Sequence, residues 1–182
     1  MGDPRDIAQG GRRTLLIDVD LGKPSLHRTL GVPNKLGLSD LLTNHGDVAE
    51  ATVTTKSENL SFLPSGPLPP DPAQLLSGDG LHQLLAALAE LYDTIVIDGP
   101  PVLTLADAPS LGAAVEGTVF VVEANGTHRG SAKVPLKRLR SAGVALLGGV
   151  MTKFDTRAAG YGAETYYYSY RYSGEVREPA KV

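Results

Sequence analysis

The sequence predicts an α/β protein with a mostly parallel sheet and helices on both faces. Two observations carry this. Short apolar runs that read as strands alternate with stretches of helical spacing. The strand runs are also apolar throughout instead of alternating, the pattern of strands covered on both sides. A length of 182 residues suits one such domain with a sizeable core.

The elements follow in order. Residues 14–20 (Thr-Leu-Leu-Ile-Asp-Val-Asp) form a buried strand closed by acidic residues. A Gly- and Pro-containing stretch runs over 22–34, and residues 36–42 form a short helix or turn. Residues 59–64 read as a short strand. Residues 65–70 (Ser-Gly-Pro-Leu-Pro-Pro) must be a loop, because proline fixes φ and donates no hydrogen bond. Asp71 is an N-cap with Pro72 at the first helical position. Leu81, Leu84, Leu85, Leu88 and Leu91 make one apolar stripe, so a helix spans about 80–92. Residues 94–98 and 118–122 are further buried strands. A helix over 127–142 carries Lys137, Arg138 and Arg140 near its C-terminus, where cations suit the dipole, and Gly143 ends it. Residues 144–150 form the last strand.

Composition narrows the function. The formal net charge of −3 gives no reason to expect nucleic-acid binding. There is no cysteine, which excludes disulfides, thiolate catalysis and Cys-ligated zinc. No apolar run approaches the roughly 18 residues that span a bilayer, and the first residues have no signal-peptide core. The expectation is a cytoplasmic protein, held at any membrane by something else.

The chemistry concentrates in three places. Asp18 and Asp20 close the first strand, at the carboxyl edge where open α/β sheets bind ligands. Two carboxylates there can hold Mg²⁺ directly or through water, although an Asp-Val-Asp can equally start a turn or cap a helix. Asp98 ends an apolar strand and precedes Gly-Pro-Pro, the Walker B arrangement for Mg²⁺. Both motifs on one sheet point to a nucleotide phosphate and Mg²⁺ at its edge. Asp107, in the loop after Asp98, reads as a cap or an orienting group. Third, six of the seven tyrosines lie between Tyr161 and Tyr172. That tail has no core stripe and reads as mobile. Each phenol could accept a phosphoryl group, adding about −1.5 to −2 charges. A sticky low-complexity tail or an aromatic binding arm would have the same composition.

Taken together these residues resemble the bacterial tyrosine kinases of capsular polysaccharide export, deviant P-loop ATPases related to the division and partition ATPases. Residues 14–24 resemble their Walker A′ motif, and 30–32 and 37–42 the segment after it. Residues 63–76 resemble their Pro-rich stretch, and 92–102 with 106–108 their Walker B. The tail resembles their tyrosine cluster. The likeness covers roughly 8–172. It implies a P-loop NTPase-like kinase domain over 8–155, missing the first strand and the phosphate loop, and a tyrosine-rich tail over 156–182.

By that resemblance, Asp18, Asp20 and Asp98 are the catalytic and Mg²⁺ carboxylates. Lys23 and Thr152 stand for nucleotide-binding residues: Gly22 takes the place of the family's usual Arg, for which Lys23 is a partial substitute, and Thr152 takes the place of an Asn. Tyr161, Tyr166, Tyr167, Tyr168, Tyr170 and Tyr172 are the phosphoacceptors. The cofactors implied are ATP and Mg²⁺. The partners implied are a membrane polysaccharide co-polymerase that activates the kinase, like subunits in a homo-oligomer or an intact partner kinase, and a tyrosine phosphatase. Cycles of phosphorylation would govern polymer assembly and export at the inner face of the cell membrane. Residues 10–14 (Gly-Gly-Arg-Arg-Thr) lack the Lys-Ser/Thr pair of a phosphate loop and run into a strand. The expectation is therefore weak Mg·ATP binding by this chain alone. A catalytically dead phosphoacceptor adaptor and a partition-type ATPase fragment are the alternative readings.

Overall fold

The computed structural model describes residues 4–102, 108–124, 126 and 129–154. All six tail tyrosines and Asp107 lie outside the described residues. In chain order the elements are α1 (Pro4–Gln9), β1 (Thr14–Asp18), α2 (Leu26–Leu30), α3 (Leu38–Leu42), α4 (Val48–Ala51), β2 (Val53–Thr54), β3 (Leu60–Leu63), α5 (Pro72–Ser77), α6 (Asp79–Ala89), β4 (Thr94–Asp98), α7 (Ala108–Ala113), β5 (Thr118–Glu123), α8 (Arg129–Ser141) and β6 (Leu146–Thr152).

The expected α/β architecture is present. Four strands form one sheet in the order β2-β3-β1-β4. Strand β1 pairs in parallel with β3 on one side and β4 on the other, and only the two-residue β2 runs antiparallel. The apolar run of β1 follows from its central place, because every residue from Thr14 to Asp18 is buried. Its side chains divide between two cores. Leu15 and Ile17 face a cluster with Leu38, Leu63, Leu76, Leu81, Leu88 and Leu111. Leu16 faces the opposite way, with Ala8, Leu60 and Phe62. Helices therefore cover both faces of this sheet, α1 and α2 on one side and α3 to α7 on the other.

Several of these helices have only four to six residues. Isolated helices that short are unstable in water, so burial of their apolar sides holds them. Local signals help where they exist. Asp71 caps α5 by accepting from the Gln74 N–H at 3.0 Å, with Pro72 next, as expected. Gly143 follows α8 with φ +74°, a conformation that costs glycine little, and so closes the helix. Helix α8 runs through Pro135, which removes an N–H and would break a lone helix. Pro135 and Leu139 are buried, and that packing outweighs the lost bond.

The sheet differs from expectation in one respect. Strands β5 and β6 pair in parallel with each other in a separate two-stranded sheet. Among the described residues β4 pairs only with β1, and β5 only with β6. Val121, Leu147, Val150 and Met151 of the small sheet are exposed, so its strands are apolar without being buried on both faces.

Two ties bring the sheet's carboxyl edge into shape. At the opposite end, Asp93 accepts from the Arg13 backbone N–H (2.9 Å) and from its Nη2 (2.7 Å) and Nε (3.3 Å). The Asp93 and Thr94 N–H groups donate to the Arg13 carbonyl. These bonds fix the register of β1 against β4, so the two strands end level. On the other side of β1, the loop after β3 is fastened to α3. Leu38 N–H donates to Pro64 O (2.8 Å), Ser39 N–H to Ser65 O (2.9 Å) and Ser39 Oγ to Pro67 O (2.8 Å). The Asn34 side chain brackets Gly66, accepting from its N–H at 2.8 Å and donating to its carbonyl at 2.9 Å.

Candidate active site

The level ending of β1 and β4 places Asp18 directly beside Asp98 in register. Neighbouring strands lie about 5 Å apart, so the two carboxylates share one edge. The Val19 N–H donates to the Asp98 carbonyl at 2.9 Å and continues the pairing into the loop. Asp20 follows two residues later. The sequence therefore identified three carboxylates that the fold does bring to one edge.

They are not equivalent. Asp18 is buried, and its carboxylate is held by backbone N–H donors. Oδ1 accepts from Asp20 (3.2 Å), and Oδ2 from Ser25 (3.3 Å) and Leu26 (3.2 Å). Ser25 is the N-cap residue of α2 and makes no side-chain cap bond, so Asp18 supplies the cap from across the loop. Asp20 Oδ1 accepts from Gly22 (3.2 Å) and Lys23 (2.9 Å), which folds the loop into a tight turn. Its Oδ2 has no hydrogen bond to a described residue, and Asp98 has none on either oxygen. Turn-forming and capping, the plain alternatives for the Asp-Val-Asp, are thus both real. They leave Asp98 and one oxygen of Asp20 uncommitted.

Electrostatics agree. Asp18 is pushed above the ordinary carboxylate range, first by burial and further by Asp20, with its three backbone donors opposing. Asp98 is also pushed up, first by desolvation at the sheet edge, then by Asp18 and Asp20. No described cation pairs with these groups. A hard cation would relieve the repulsion. Among the described residues no three His, Cys, Asp or Glu side chains converge closely enough to cage an ion by themselves. The donor set fits Mg²⁺, which keeps several waters and takes one or two carboxylates together with substrate phosphates.

These shifts have a consequence for stability. Upward shifts mean that the folded state keeps these protons to a higher pH than the unfolded chain. Stability then falls as pH rises from about 4 through the raised values, and the penalty persists above them. Asp98→Asn removes one share of it. The variant is expected to melt above the parent at pH 7, by roughly 1–3 °C, with the difference gone below about pH 4. Thermal unfolding across that range checks the sign.

The remaining predicted residues fall further out. Lys23 is exposed, in the loop that Asp20 shapes. Thr152 ends β6, in the other sheet, and its hydroxyl donates to Val122 O at 3.5 Å. No hydrogen bond links either side chain to the carboxylate edge. One contact was not foreseen. Arg138 of α8 donates from Nη1 to Val102 O (3.3 Å), tying the loop after Asp98 to that helix. Arg138 was legible only as a cation near a helix end.

Comparison with known proteins decides the family. No protein-family model matches the chain. The chain is 35% identical over 163 residues to the tyrosine-protein kinase CapB of Staphylococcus aureus, covering 90% of this chain and 70% of CapB. The chain belongs to the bacterial tyrosine-protein kinases. It is also 35% identical over 145 residues to tyrosine-protein kinase YwqD of Bacillus subtilis, covering 80% of the chain and 61% of YwqD. It thus spans less than two thirds of that relative. Among solved structures, the chimeric protein CapA2B2 superimposes with a TM-score of 0.78 at 33% identity, over 81% of this chain and 66% of that one. The septum site-determining protein MinD of Pyrococcus horikoshii, complexed with Mg-ADP, gives 0.68 at 26% identity, over 89% and 66%. The bacterial tyrosine kinase fold and the MinD-like ATPase fold are therefore shared, as the motifs implied. Among the described residues no helix of this kinase-family chain is long and apolar enough to cross a membrane.

Proposed function

We propose that this chain supplies the carboxylate side of an ATP-dependent protein-tyrosine autokinase serving capsule or exopolysaccharide synthesis. The observation that carries it is the in-register pairing of Asp18 with Asp98 at the carboxyl edge of adjacent parallel strands. In this reading Asp18, Asp20 and Asp98 are the Mg²⁺ and catalytic carboxylates: Asp98 and the free oxygen of Asp20 face the Mg²⁺ shell, and buried Asp18 adds its charge to the edge while holding the loop that shapes it. Mg²⁺ would supply charge neutralisation on the transferred phosphate. Lys23 and Thr152 are assigned to the nucleotide's periphery, and Tyr161, Tyr166, Tyr167, Tyr168, Tyr170 and Tyr172 to phosphate acceptance. The names of the relatives support this, as does the Mg-ADP bound by MinD. A membrane co-polymerase that activates the kinase, like subunits or an intact partner kinase, and a phosphatase complete the proposal. The chain would act at the inner face of the cell membrane through such a partner.

Phosphotyrosine mapping on the protein from polysaccharide-producing cells is the test. Phosphate on tyrosines between Tyr166 and Tyr172 is expected, and an unmodified tail would sink the reading. A separate expectation concerns the 182 residues alone. They contain no Gly-rich loop ending in Lys-Ser/Thr, whose N–H groups and Lys hold the phosphates. Calorimetric titration with Mg·ATP is expected to show no binding in the micromolar range.

A further inference from the structure

Helix α8 carries a cationic face that the carboxylate site does not use. Lys133, Lys137 and Arg140 stand at helical spacings of four and three residues, so they share one side. All three are exposed, and none forms an ion pair among the described residues. Helix α8 contains no acidic residue in a chain whose net charge is −3. Like charges at this spacing repel and slightly weaken a helix, a cost that the helix dipole offsets in part towards the C-terminus and that no described acidic side chain relieves. The three cations, with Leu136 and Ser141, line an open hollow of about 560 Å³.

The position of this face names its occupant. Helix α8 flanks the small sheet across a second open hollow, which Ala132, Leu136 and Arg140 line together with Met151 of β6. Strand β6 ends at Thr152, one residue after Met151. The tyrosine-rich segment begins within ten residues of that point, at Tyr161. An extended chain covers at most about 3.6 Å per residue, so the dozen residues from Phe154 to Tyr166 reach roughly 40 Å. That is ample to return to a helix that shares a hollow with the strand from which the tail departs.

We propose that the Lys133/Lys137/Arg140 face of α8 docks the tyrosine-rich segment 161–172 of this chain in its phosphorylated form. Each phosphotyrosine would bring about −1.5 to −2 charges and three acceptor oxygens to unpaired ammonium and guanidinium donors. The unphosphorylated segment contains only Glu164 as an acid and also contains Arg171, so phosphate creates the complementarity. Docking would withdraw phosphorylated tyrosines from other partners. Arg138, between these cations, holds the loop after Asp98, so an occupied face adjoins the candidate active site.

This rests on the proposed tail phosphorylation, and the test separates the two. A synthetic peptide of residues 161–172, phosphorylated at Tyr166, Tyr168 and Tyr170, is titrated by fluorescence anisotropy into the full unphosphorylated chain. No kinase activity is needed. The unphosphorylated peptide is expected to bind at least about tenfold more weakly. Lys133→Glu combined with Lys137→Glu should weaken phosphopeptide binding by a similar factor, and raised salt should weaken it too. Circular dichroism confirms that the doubly substituted chain is folded. Equal binding of both peptides, or an unaffected variant, overturns the proposal. So does a face that takes up phosphatidylserine vesicles through the same lysines while ignoring the phosphopeptide. An unphosphorylated tail in cells defeats the autokinase reading instead, whatever the titration shows.

Discussion

Gly37→Ala is expected to destabilise the protein by about 3 kcal/mol and to lower its melting temperature by roughly 6–12 °C. The cause is space, not backbone conformation, since Gly37 is extended. A β-carbon there would overlap the Pro64 carbonyl oxygen and the Gly66 nitrogen, and would lie 2.8 Å from the Gly66 α-carbon. All three are main-chain atoms. They belong to a loop pinned by Asn34, Leu38 and Ser39, so it cannot give way without losing hydrogen bonds. That loop leaves β3, next to β1, at the carboxyl edge. Its displacement would pull on the strand that ends in Asp18. Thermal unfolding followed by circular dichroism checks the size. A drop below 1–2 °C would mean that the loop relaxes freely.

Asp18 offers the second large effect, and two substitutions separate its roles. Asp18→Ala is expected to cost about 2–3 kcal/mol, because three backbone N–H groups lose their acceptor. Helix α2 loses the acceptor that caps its N-terminus, and the loop over 20–26 loosens. Asp18→Asn keeps one carbonyl oxygen and removes a buried charge. Its net change in stability is expected to stay within about 1 kcal/mol. Phosphotransfer in an intact kinase carrying this segment should fall about 100-fold or more in both variants, because neither offers a carboxylate to the edge. Denaturant melts give the stability arm, and phosphotyrosine formation gives the activity arm. An active Asp18→Asn enzyme would reduce Asp18 to a helix cap.

Much of the site was readable in residues alone. Apolar runs closed by Asp18 and Asp98 gave both strands and both carboxylates, because a buried strand has a local signature and an acid cannot extend it. Asp71 followed by Pro72 located the start of α5, and the leucine stripe located α6. Helices α2 and α4 escaped notice. They are five and four residues long, too short for a periodicity to develop. The pairing of β5 with β6 apart from the main sheet was also illegible, since an apolar strand does not name its neighbour.

The sequence by itself thus determined the fold class, the two carboxylate-bearing strands and the family. Each is written in residue type and short-range spacing. Only the tertiary structure decided which strand lies beside which, and so that Asp18 and Asp98 end level. It decided that Asp18 caps a helix eight residues away, and that Gly37 admits no side chain because Gly66 abuts it. It also decided that Arg140 of the cationic face of α8 shares a hollow with the strand from which the tail departs. Burial leaves a periodic trace in the chain, whereas contact between distant segments depends on their shared geometry and leaves none.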